Sequence, residues 1–228
     1  MEGFVRIDIT QHSFDQFIDF LFDHEVVPTS DLEAAEPTKA NKPWDWEPME
    51  LLYDPEKVCG YYVRVFREPR FLLQRFSRPH LEQGFWAIQG SNLECGLGNL
   101  LWLPELSFAA REECVRSMFD LFRLLFAAEP FDTSVQMWWD SLCYDWHSGN
   151  RNRAAGGEDT RMQEIMFETL AAILALDSPT CQRAALHGLG HLHHPQTPQL
   201  IQRYLDERPS LTNDWKQYAL AAAEFKVM

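Results

Sequence analysis

The stretch from Asp177 to Pro195 limits the possible folds more than any other part of the chain. It opens with Asp177-Ser178-Pro179, a capping residue followed by proline at the start of a helix, and closes on His193-His194-Pro195, where proline marks the exit. Between these signals stand Ala184, Ala185, Gly188 and Gly190, whose side chains are small or absent, so neighbouring helices can approach this one closely. The tetrapeptide Ala185-Leu186-His187-Gly188 returns 34 residues later as Ala219-Leu220-Ala221-Ala222. That period is typical of stacked helix pairs.

The rest of the chain agrees with a helical reading. Val5, Ile7 and Ile9 alternate with polar residues, the period of one short strand or extended segment, which must find something to pair with or pack on. Ser13 and Gln16 form a capping-box pattern ahead of a helix reaching about His24. Residues 25–43, with Pro28, Pro37, Pro43 and several acids, read as a mobile acidic loop. From Trp44 onward the pattern is helical: 55–66 after Asp54-Pro55, a short piece at 71–76, another from Pro79, a brief one at 100–102, then 107–128 and 135–147. From Asp159 the chain reads as two helix pairs, ending near Leu176, His193, Glu207 and Phe225. Residues 1–228 are therefore expected to form a single all-α domain.

The run from Cys181 to Pro195, with Arg183, paired alanines, Leu189-Gly190 and a proline exit, resembles the second helix of a HEAT-type repeat of the phycobilisome-lyase (PBS-lyase) kind. The resemblance covers 159–228 and implies an α-solenoid of antiparallel helix pairs. Such repeats expose concave surfaces to other proteins, and some house chemistry. One enzyme branch holds two irons through His-Glu pairs; here that pair occurs at His24-Glu25, outside the repeat region.

Charge narrows the partners. The net charge is −14, and the first 60 residues hold 14 acids against 4 bases. Nucleic-acid binding needs clustered Lys and Arg to displace counterions, so no nucleic acid is expected. The apolar stretches are broken by Arg123, Asp140 or Glu168 before reaching bilayer-spanning length, and no membrane contact is expected. The N-terminus lacks a secretion-signal pattern, and the five cysteines are scattered. Reduced thiols and a cytoplasmic location follow.

Two constellations are candidates for function. His187 and His191 are spaced i,i+4 and could hold one metal ion if a carboxylate from a neighbouring helix supplied a third ligand; His194 falls on the same helical face. In 137–147, Asp140, Tyr144 and His147 share one face, while Asp140 and His147 stand about 10.5 Å apart along the axis and need a bridging residue to communicate. Trp139 and Tyr144 offer rigid area for recognition, and Trp44, Asp45, Trp46, Glu47 and Glu50 join aromatic surface to negative charge. No serine-hydrolase, phosphate-loop or dinucleotide motif occurs. The sequence leads to the expectation of a non-catalytic binding protein without a cofactor, an acidic immunity or antitoxin type that neutralises a basic partner such as a toxin domain. Trp44, Asp45, Trp46, Glu47, Glu50, Trp139, Asp140, Tyr144 and His147 would form its contact surface. The alternatives are a metal-dependent enzyme built on His187 and His191, and a general assembly scaffold.

Overall fold

The computed structural model describes residues 5–26, 49–129, 131 and 133–227. Strand β1 (Val5–Asp8) pairs in parallel with β2 (Met49–Leu52), with Ile7 opposite Leu51. The second strand corrects the all-helical reading after Trp44. Four residues are too few to display a period, and their pairing depends on a segment more than forty positions away. Parallel neighbours require a crossover, and this one carries α1 (Phe14–Phe22). The Ser13 hydroxyl accepts from the Gln16 N–H while the Gln16 side chain accepts from the Ser13 N–H, so the expected capping box is present. The predicted acidic loop lies, from residue 27 on, outside the described residues, as do Trp44, Asp45, Trp46 and Glu47.

Helices then dominate. The chain runs through α2 (Pro55–Arg67), headed by Asp54 accepting from the Glu56 and Lys57 N–H groups, to α3 (Arg78–Gln89) and α4 (Phe108–Leu121). The expected long helix after Ser107 continues past Leu121 as a π-helical turn, Phe122–Phe126. Next, α5 (Asp140–His147) begins five residues later than its sequence pattern suggests. The Glu82 carboxylate accepts from the backbone N–H groups of Thr133 and Ser134 and from the Ser134 hydroxyl, holding this entrance as a turn. That turn sends Trp138 and Trp139 into the core, where both are fully buried.

The last third forms α6 (Gly157–Leu174), α7 (Pro179–Leu192), α8 (Thr197–Asp206) and α9 (Asn213–Ala223), each within a few residues of its expected bounds. The Ser178 and Thr212 side chains cap α7 and α9 by accepting from Cys181 and Trp215. Helix α7 packs against α5, α6 and α9, and every residue from Ala184 to Leu192 is buried. A Cβ on Gly188 would lie 2.5 Å from Trp139 Cβ, and one on Gly190 would collide with Val227. The small residues therefore do permit close approach. The helices pair α6 with α7 and α8 with α9, while the 34-residue shift holds only in part: Ala185 and Ala219 are both buried, but Leu186 is buried and Leu220 is 46% exposed.

One apolar cluster runs from Ile9 to Val227 and takes in all five cysteines, which are free thiols. No helix among the described residues is long and apolar enough to cross a membrane.

Candidate metal centre

Helix α7 starts where Ser178 caps it, and its small residues let α5 settle against it through the Trp139 side chain. That packing brings Asp140, in the first turn of α5, onto the His187/His191 face of α7. Asp140 Oδ1 lies 3.0 Å from His191 Nε2 and 3.5 Å from His187 Nε2, and among the described residues this is the group of three such side chains whose donor atoms lie within 4.8 Å of one another. Donors bound to one zinc-like ion at 2.0–2.1 Å in tetrahedral array stand roughly 3.3 Å apart. The two N···O separations fall on either side of that value.

The imidazoles are deeply buried, with His187 1% and His191 4% exposed. Neither Nε2 makes a well-directed hydrogen bond, and His191 Nδ1 has no partner either. At 3.0 Å from Asp140, His191 Nε2 is within reach of the carboxylate but has it off its N–H axis. Each polar group left in this state costs about 1–3 kcal/mol. A cation shared by both Nε2 atoms and Oδ1 would remove the two Nε2 deficits together. His187 is oriented from behind, because its Nδ1 shares a 2.9 Å hydrogen bond with the Tyr218 hydroxyl of α9. A hydrogen bond on the far nitrogen is what a metal-ligating histidine needs to fix its tautomer. The two imidazoles, His187 foremost, hold the Asp140 carboxyl well below the usual carboxylate range, so it is an anion at neutral pH.

The site opens toward solvent through more histidines. His147, exposed at the end of α5, sets its ring edge-to-face against His191 at 4.9 Å and shares a 3.1 Å hydrogen bond, Nδ1 to Nε2, with His193. Tyr144, 50% exposed, lies beside both His147 and His191. The bridge that Asp140 and His147 need is thus His191, supplied by a different helix.

Other expected site residues are placed elsewhere. Trp139 is buried against Gly188 and Phe122, so it cannot act as a surface anchor. Glu50 is exposed on β2, 3.9 Å from Arg6. His194 does not join His187 and His191. The chain leaves α7 through His193 in the left-handed conformation (φ 53°, ψ 33°), which breaks the helical phase; His194 instead stacks on Phe167 at 4.0 Å and bonds to Glu164. The histidine that does adjoin the cluster, His193, escaped the sequence reading because a helical wheel cannot represent a left-handed cap. Cys143, beside the site, has its thiol pushed well up by burial and is no nucleophile at neutral pH.

Compared with protein-family models, with characterised proteins and with solved structures, the chain matches none.

Proposed function

We propose that this helical domain is a metal-binding protein that holds one divalent transition-metal ion between Asp140, His187 and His191. The convergence of two buried, otherwise unsatisfied Nε2 atoms on one carboxylate oxygen carries this reading. Two imidazoles and a carboxylate suit zinc, iron(II), manganese or cobalt; calcium and magnesium favour oxygen ligands. Three protein ligands leave positions for water or substrate, the arrangement of reactive rather than purely structural centres. An ion there would polarise a carbonyl or phosphoryl oxygen or lower the pKa of a bound water.

The test is elemental analysis of protein purified without a histidine tag, with a chelated control. About one ion per chain is expected, lost in Asp140→Ala and His191→Ala. Added metal at about 100 times its Kd should stabilise the apo protein by about 2.7 kcal/mol. With an unfolding entropy near 0.5 kcal/mol/K for a chain of 228 residues, that raises Tm by about 6 °C. Substoichiometric metal together with an unmoved Tm overturns the reading.

The charge favours a second reading, in which the domain also captures a basic protein such as a toxin domain, with a HEAT-like repeat over 159–228 as its scaffold. Its support is the net charge of −14, concentrated at the N-terminal end. Tyr144, Asp140 and His147 would then serve contact rather than chemistry. Affinity capture in chelator separates the two: a basic partner held with the metal removed supports contact, and capture that needs metal supports the centre.

A further inference from the structure

The imidazoles continue outward from the inner site. Ring centroids are 4.7 Å apart from His187 to His191, 4.9 Å from His191 to His147, and 5.1 Å from His147 to His193. The series begins at the buried His187, passes through the exposed His147 and ends at the half-buried His193. An aqua ion cannot reach His187 without shedding water, and a buried site offers no replacement for that water until the ion has arrived. A ligand pair at the mouth removes the difficulty by exchanging waters for imidazole nitrogen one step earlier.

The outer pair has the geometry for this. His147 Nδ1 and His193 Nε2 are 3.1 Å apart, close to the roughly 3.3 Å between neighbouring ligands on a zinc-like ion. Independently, His193 occupies a helix-terminating position at positive φ, which glycine fills at less conformational cost. His193, in the left-handed conformation, meets His147 at its Nε2 edge, and Phe225, itself at positive φ, stacks on its ring face at 4.6 Å. A strained residue fixed by its surroundings points to a role for its side chain.

We propose that His147 and His193 form an outer capture pair that takes up the divalent metal ion first and hands it through His191 to Asp140 and His187. This inference rests on the inner site being a metal site. Because the pair is a route and not the destination, losing it slows uptake and release by the same factor and leaves the equilibrium unchanged.

The experiment follows cobalt(II) binding to the full-length apo protein by stopped-flow absorbance, with release read by mixing the loaded protein with excess chelator. His193→Gly is the principal variant, since it removes the imidazole while relieving the backbone; His147→Ala is the second, and circular dichroism checks both folds. Uptake and release should each slow by about tenfold or more, with Kd unchanged within about threefold. Unchanged uptake in both variants overturns the capture pair. A weaker Kd from faster release also overturns it, by making the pair part of the final ligand set. Failure of the wild-type protein to bind cobalt sinks the inner site and this proposal together, whereas wild-type binding that Asp140→Ala abolishes, with uptake insensitive to His193→Gly, sinks the capture pair alone.

Discussion

Replacing Gly188 with alanine tests the contact that sets α5 against α7. In an exposed helix interior this substitution stabilises by about 0.5–1 kcal/mol, because glycine loses more backbone freedom on folding. At Gly188 the new methyl would stand 2.5 Å from Trp139 Cβ and 2.9 Å from Leu170 Cδ2. A leucine methyl can swing aside, but a Cβ moves only with its backbone, so α7 must be pushed from the turn that carries Trp139. Overpacking of that kind costs about 1–3 kcal/mol. The net expectation is a loss of about 1–2 kcal/mol, or about 2–4 °C in Tm for a chain of this size. Gly60 supplies the control: it lies inside α2 with nothing within 4 Å of a new Cβ, so Gly60→Ala should raise Tm by about 2 °C. Thermal melts of both variants in chelator provide the measurement. Trp139 precedes Asp140 in sequence, so Gly188→Ala should also weaken metal binding, which Gly60→Ala leaves alone. If Gly188→Ala melts at or above the wild-type temperature, the close approach of α5 and α7 is wrong, and with it the placement of Asp140.

Two further outcomes are expected. The Tyr204 hydroxyl donates to Gln182 Oε1 and accepts from Trp215 Nε1 at 2.9 Å each, joining α7, α8 and α9; Tyr204→Phe strands both partners and should cost about 1–3 kcal/mol, and an unchanged denaturant midpoint would refute that linkage. Burial foremost lowers the pKa values of His24 and His194 in the fold, so between the unfolded value of about 6.5 and the lower folded values the unfolded chain binds more protons. This contribution to stability is present above about pH 6.5 and is lost as pH falls through the folded values; in chelator, melts from about pH 7.5 to 5.5 should decline, less steeply in His194→Gln, and a flat profile would refute it.

Local signals in the chain were enough to define the helices. Ser13, Asp54, Ser178 and Thr212 each announce a helix start that depends on a hydrogen bond within three residues, and all four caps form. The close packing at Gly188 and Gly190 was legible too, since a missing side chain in a helix interior leaves room for a neighbour. The i,i+4 spacing put His187 and His191 on one face whatever they face. Features that depend on distant partners were not legible. Strand β2 exists through pairing with β1; the late start of α5 depends on Glu82, some fifty residues earlier; and His193 was released from the helical period by a left-handed cap. The site shows the same division. Sequence supplied two histidines and, separately, a carboxylate assigned to a recognition surface. Only the packing of Trp139 on Gly188 brought Asp140 within 3.0 Å of His191, because one-dimensional spacing fixes which residues share a helix face but not which two faces meet.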